Sequence, residues 1–328
     1  VPNIDIHAHV QIEAAELLVR PSFHPDKMPI LRFTSPESQA VNGRNLPIAA
    51  RLAAGVDERL AEMDATGIDM QVLSPTPGQY YYWTDPELGR EASRSINDGI
   101  AEMAATTPSR FVALGTVPLQ EPRLAVEELR RCVRSLGMRG IEIDSNVRGL
   151  ELSDDSLRPF WAAAEELGVL VFIHPLGFTH GERLSKHYLS NIIGNPLEST
   201  IAVSHLIFDG VLDLHPALKI CVAHGGGYLP MYAGRIAQAY RFRDDCRACQ
   251  HPPETYLRRL YFDTVVYDAE QLGQLIERYG SDHVLLGTDW PYDIRERDPV
   301  GLVNAVAGLG AQDRERICGG NASRLLGL

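Results

Sequence analysis

Ile4-Asp5-Ile6-His7-Ala8-His9-Val10 is the stretch on which the fold turns. Its run of β-branched and alternating residues predicts a strand. A doubly wound open sheet would follow such a first strand with a GxGxxG turn that cradles a phosphate. Here two histidines close the strand instead, at i and i+2, a spacing that points both side chains to one face. Working outward, short runs of the same kind recur at Met70 to Ser74, Phe111 to Val117, Gly140 to Ile143, Val169 to His174, Ile220 to His224, Leu260 to Thr264 and Val284 to Asp289. With the first, that makes eight candidate strands.

Between them lie segments with apolar residues at three- and four-residue spacing: Asp57 to Ala65, Pro86 to Thr106, Pro122 to Leu136, Asp155 to Leu167, Tyr228 to Tyr240 and Ala269 to Tyr279. Asp85-Pro86 and Glu121-Pro122 place proline in a first helical turn, and Ser153-Asp154-Asp155 offers N-caps. Gly67, Gly137, Gly168 and Gly280 follow four of these helices, where a left-handed residue is wanted. Strand followed by helix, about eight times over, predicts an α/β chain folded as a (β/α)8 TIM barrel. The 328 residues suit one such domain over 1–328 rather than two smaller ones. Residues 10–56 are then a long insertion after strand one, rich in proline and carrying Arg20, Arg32, Arg44 and Arg51. An insertion there lies at the catalytic face of a barrel, so it is expected to form a lid over the mouth. A second departure, Phe178 to Pro216, is expected to hold a helical stretch over Pro196 to Leu212.

Composition excludes several classes of function. The chain carries 31 Lys+Arg against 43 Asp+Glu, a formal charge of −12, with no basic run that would bind nucleic acid or anionic lipid. No run of about 18 apolar residues and no basic-then-apolar leader is seen, so a soluble, cytoplasmic protein is expected. Five scattered cysteines do not make a secreted disulfide framework, and the single Cys246-x-x-Cys249 has no second pair to complete a zinc site. A chain this long needs no metal merely to fold. Any metal it binds is therefore there for chemistry.

The chemistry is suggested by where the histidines fall. His7 and His9 close strand one, His174 ends strand five, His224 ends strand six and Asp289 ends strand eight. In a barrel those ends converge on the C-terminal face, where active sites of this fold are built. Three imidazoles and a carboxylate suit zinc, manganese or iron, with room for water. Asp5 has the same parity as His7 and His9 but lies lower on the strand and is read as structural. Gly225 to Gly227 are read as a tight turn, with an anion nest as the alternative.

At this point the sequence resembles a known family. His7-Ala8-His9, His174-Pro175, Ala223-His224-Gly225-Gly226-Gly227 and Gly287-Thr288-Asp289-Trp290-Pro291 look like marker segments of the amidohydrolase superfamily, nearest to its aminocarboxymuconate-semialdehyde decarboxylase branch. The likeness extends over Arg59 to Leu73, Leu114 to Leu136, Ala233-Gly234-Arg235 and Gly320-Asn321-Ala322-Ser323. It implies one divalent metal, zinc first and manganese second, held by His7, His9, His174 and Asp289, with His224 beside a metal-bound water as general acid and base. It also implies non-oxidative decarboxylation of a small unsaturated or aromatic carboxylic acid, with no organic cofactor, in a homodimer. Arg235 matches an arginine supplied across the dimer interface. The family's other arginine precedes a Pro-hydrophobic pair, where this chain reads Leu46-Pro47-Ile48, so Arg44 or Arg51 is expected to compensate. Where the branch has His-Pro-Trp-Asp, this chain has His174-Pro175-Leu176-Gly177, and His187 aligns with a family tryptophan. Tyr80, Tyr81, Tyr82 and Trp83 are candidates to stack on a planar substrate. Together these features predict a cationic pocket inside an acidic protein. A metal-dependent hydrolase or hydratase is the competing chemistry, and a non-catalytic metal-binding barrel the reading from another class.

Overall fold

The computed structural model describes residues 1–328. Eight parallel strands follow one another around a sheet in sequence order: β1 (Ile4–Val10), β2 (Met70–Pro75), β3 (Phe111–Gly115), β4 (Gly140–Ile143), β5 (Leu170–Ile173), β6 (Lys219–Val222), β7 (Tyr261–Asp263) and β8 (Val284–Leu285). The segment after β8 closes the ring onto β1. Ile6 N–H donates to Leu286 O at 2.8 Å, Asp289 N–H to His7 O at 2.9 Å and His9 N–H to Trp290 O at 2.7 Å. The expected (β/α)8 barrel is therefore what the chain forms.

Two apolar layers hold it. Ile4, Ile6, Val72, Leu114, Leu170 and Phe172 belong to a cluster that also takes in the last helix through Ala322, Leu325 and Leu326. Phe172 touches the imidazole layer directly, its ring 5.0 Å from that of His7. A larger cluster of 57 buried residues packs helices onto the strands. Its contributors recur at helical spacing, as Ala92, Ile96 and Ile100 do along Pro86–Thr106. Asp85 caps that helix by accepting from Leu88 N–H.

Several strand ends differ from expectation. β5 stops at Ile173, β6 at Val222 and β8 at Leu285, so His174, His224 and Asp289 stand just beyond the ladder. His224 and Asp289 both adopt positive φ, 57° and 65°. At these two residues the backbone leaves the extended region and accepts local strain, which aims their side chains at the group begun by His7 and His9 on β1. The stretch Pro196 to Leu212 is divided into helices Gly194–Phe208 and Val211–Leu214 by Gly210 at φ 79°. Gly67, Gly137 and Gly168 adopt the expected positive φ, but Gly280, at φ 94° and ψ 147°, lies outside the left-handed helical region.

Residues 11–56 are mostly helical: α1 (Glu13–Val19), a short helix at Pro29–Arg32 and α2 (Pro36–Ala54). They are fastened at several points around the mouth. Ser35 N–H donates to Ser185 O at 2.7 Å, and Asn45 donates to Asp293 at 2.7 Å. The fully buried Arg59 donates to Ala53 O, His9 O and Gln71 Oε1, tying the end of α2 to β1. Three acceptors satisfy much of a buried guanidinium that would otherwise cost several kcal/mol, on the order of 3–5.

Candidate metal centre and its cavity

β1 does not keep strict alternation. Its register against β2 slips between Asp5 and Ala8. Such a bulge re-aims side chains near a site. Asp5 accepts from Gln71, from Thr288 Oγ1 and from the His7 and Thr288 N–H groups, joining a structural network with Gln71 and Arg59. His7 and His9 turn to the opposite company, each ring 4.9 Å from that of His174.

One ligand atom from each of His7, His9, His174 and Asp289 lies within 4.8 Å of all the others, and all four residues are buried. His9 Nδ1 lies 3.0 Å from Pro75 O, which can only accept, so that nitrogen carries the proton. His7 Nδ1 donates to Asp263 at 2.7 Å. The two Nε2 atoms therefore present lone pairs to each other across 3.2 Å, with Asp289 Oδ1 at 3.3 and 3.2 Å from them. Both ring nitrogens of His174 and Oδ1 of Asp289 are buried without a partner. Facing lone pairs and orphaned buried acceptors are costly unless a cation lies among them. Three nitrogens and one oxygen suit a borderline divalent metal, and the residues fit that group.

The electrostatics agree. Burial, with His224, His9 and His7 nearby, holds His174 well below the ordinary imidazole range, so it stays neutral. Burial opposes ionisation of Asp289, but the surrounding imidazoles outweigh it and hold the carboxyl well below its usual range. Burial likewise opposes charge on His7, yet Asp289 and Asp263 lift its pKa well above normal.

His224 stands beside this group. Its ring lies 4.8 Å from that of His174, and its Nε2 is 3.8 Å from Asp289 Oδ2. Asp263, the last residue of β7, accepts from the His224 and Gly225 N–H groups as well as from His7. One carboxylate thus fixes both a candidate ligand and the strained turn carrying His224. The turn itself is tightly packed: a Cβ on Gly226 would lie 2.6 Å from Phe262, and one on Gly227 2.3 Å from Pro196 O. Close packing explains these glycines, which favours the tight-turn reading over the anion nest.

A cavity of about 520 Å³ opens from His174 and Asp289, with Thr76, Tyr188 and Tyr292 around its inner end. The structure does not bring most of the expected substrate-binding residues to its wall. Arg51 is exposed and paired with Glu58. Arg44 is exposed on the outer side of α2, and His187 is exposed at φ 58° while its neighbour Tyr188 lines the cavity. Trp83 faces a separate cavity of about 300 Å³, with Lys27 4.9 Å over its ring. Arg235 is exposed on the helix Leu229–Phe242, away from the cavity of its own chain. Leu46 lines the wall, and the one arginine there is Arg20, 3.9 Å from Glu16, which lines the same space. The expected cationic pocket is therefore corrected: beyond His174 the wall mixes apolar side chains with uncharged amides such as Asn42, Asn191 and Asn195, and its single arginine faces Glu16.

Sequence reasoning missed Asp263, an aspartate inside the run Leu260 to Thr264, which the structure makes the last residue of β7. It also missed Tyr188, Tyr292 and Arg20, which no local pattern marks.

Comparison with known proteins places this arrangement. The family model described as amidohydrolase matches residues 4–328. A 2-amino-3-carboxymuconate-6-semialdehyde decarboxylase of Dictyostelium discoideum is 38% identical over 274 residues, 83% of this chain and 76% of that protein. The crystal structure of 5-carboxyvanillate decarboxylase from Sphingomonas paucimobilis superposes with a TM-score of 0.88 at 26% identity, covering 100% of this chain and 99% of the other. A dihydroxybenzoic acid decarboxylase from Polaromonas, solved with manganese and 2-nitroresorcinol, gives a TM-score of 0.82 at 25% identity, covering 100% and 97%. The chain belongs to the amidohydrolase family, in the branch that resembles aminocarboxymuconate-semialdehyde decarboxylase.

Proposed function

We propose that the protein is a metal-dependent, non-oxidative carboxy-lyase acting on a small unsaturated or aromatic carboxylic acid. The observation that carries this is the buried group of His7, His9, His174 and Asp289, which has His224 3.8 Å from Asp289 and opens on a cavity through His174 and Asp289. Relatives named as decarboxylases support the chemistry. When bound, a divalent cation held by those four residues supplies Lewis-acid charge for the substrate's oxygens. Zinc is the metal we favour, with manganese the alternative that a relative's structure contains.

The chain's own residues do the rest. Asp263 orients His7 and fixes the turn that holds His224. As the bond to the carboxyl carbon breaks and carbon dioxide leaves, the electron pair stays on the substrate carbon. His224 delivers a proton to that carbon from Nε2, as a general acid. Residues 10–56 act as a lid that excludes water from the inner end, within one barrel domain over 1–328. A homodimer, with Arg235 reaching the partner's cavity, is supported by the exposed Tyr232 and Phe242 on the same helix, and sedimentation of the active enzyme tests it. Free thiols at all five cysteines support a cytoplasmic location.

Two measurements test this reading. Incubation in 18O-labelled water with hydroxybenzoates, whose phenol oxygens do not exchange with water, is expected to release carbon dioxide equal to substrate consumed, with no label in the organic product. Labelled organic product without carbon dioxide would establish the hydrolase instead. Asp263→Asn is expected to weaken metal affinity roughly 10- to 100-fold, read by competition with a chelating dye, because the amide no longer favours the His7 tautomer. Unchanged affinity would remove Asp263 from the metal site.

A further inference from the structure

We infer that the acid this enzyme takes is a single-carboxylate, hydroxybenzoate-type molecule bearing an apolar substituent several carbons long, which seats against α1 and α2. The inference rests on the carboxy-lyase reading for its acid head and on the cavity wall for its tail. A one-ring hydroxy acid fills only on the order of a third of the roughly 520 Å³. The remaining space is not built for a second charge. Glu16 lines it together with Arg20 and Gln11, accepting from Gln11 at 2.7 Å and lying 3.9 Å from Arg20, so the one cation on that side already faces an anion.

Much of what is left is apolar and partly uncovered, with Asn42, Asn191 and Asn195 the uncharged amides beside it. Ala49, Ala50 and Ala53 recur at three- and four-residue spacing along α2 and line the cavity, so one small-residue face of the helix leaves room there. Phe23 and Leu46 line the same space yet remain 42% and 44% exposed. Val19 and Leu176 complete the apolar surface. Exposed apolar side chains gathered around a cavity mark a ligand that covers them. A second carboxylate placed here would meet one cation, Arg20, and with it the like charge of Glu16. A chain of methylene groups loses nothing and gains burial.

Calorimetric titration of the full, manganese-loaded protein with resorcinol carrying methyl, propyl or pentyl at position 5 tests this without relying on turnover. Affinity is expected to rise about three- to fourfold per methylene, so about a hundredfold from methyl to pentyl. A flat or falling series, or tighter binding of a hydroxyisophthalate than of the pentyl compound, overturns the inference. Ala50→Phe fills the wall and is expected to cut the pentyl-to-methyl affinity ratio at least about tenfold. Leu46→Asp, at an exposed position that folding tolerates, is expected to lower the same ratio by placing a charge on the tail's path. A ratio unchanged in both variants also overturns it. Turnover of the matching alkyl-dihydroxybenzoates separates the two readings. Tight long-chain binding with no carbon dioxide from any acid refutes the carboxy-lyase and keeps the apolar ligand. Turnover of short acids with a flat series does the reverse.

Discussion

His224→Ala is expected to keep its metal and to lose turnover by about two to four orders of magnitude, the usual contribution of a positioned proton donor. That loss corresponds to roughly 3–5.5 kcal/mol of barrier. Its reason is geometric. His224 is not one of the four residues whose ligand atoms converge, and its Nε2 reaches only to 3.8 Å from Asp289. It is held in place by its backbone, through the N–H bond to Asp263 at 3.0 Å, and truncation of the ring leaves that bond intact. Nor does the change disturb the packing of Gly226 and Gly227, which fixes the turn. Metal content should therefore stay at the wild-type stoichiometry while product formation collapses. A His224→Ala protein that binds no metal refutes this division of roles. So does one that retains full turnover.

The strand order and the convergence of His7, His9, His174 and Asp289 were legible because β-branched runs and strand-end residues are local signals, and a barrel turns sequence order into spatial order. Legibility fails where tertiary contacts decide. By alternation alone Asp5 belongs with His7, and only the slipped register against β2 separates them. His187 and Tyr188 are neighbours with nearly identical positive φ, 58° and 59°, and which of them meets the cavity depends on how the loop docks. The arginines of the insertion posed the same difficulty. Arg44 and Arg51 lie on α2, whose cavity face is instead the one bearing Leu46, Ala50 and Ala53, while Arg20 ends α1 and reaches the wall. A proline-rich segment without clear periodicity does not reveal which face of its helices is turned inward. Asp263 is different in kind, because its place on the seventh strand was visible and its partners were not.

His174→Ala is expected to lose the metal, with affinity falling by more than the roughly 10- to 100-fold typical of an outer-sphere change. His174 is 3% exposed, it is held neutral, and neither ring nitrogen has a partner within the protein. An imidazole in that state contributes little to the apo fold, since an unsatisfied buried polar group costs about 1–3 kcal/mol. Removing it relieves that cost while leaving a cavity, so the two effects oppose each other and the metal-free protein should melt close to wild type. The loaded protein should not. Ligand binding stabilises the folded state by RT ln(1 + [L]/Kd), so at fixed metal concentration a hundredfold loss of affinity removes about 2.7 kcal/mol. The melting temperature of wild type should rise on adding zinc or manganese, and that rise should shrink or vanish in the variant. If His174→Ala keeps stoichiometric metal after dialysis against a chelator that leaves wild type loaded, His174 is not a ligand. The orphaned nitrogens must then be explained by water or substrate. If instead the apo protein melts far below wild type, His174 serves the fold, and its neutrality reflects packing rather than readiness to bind.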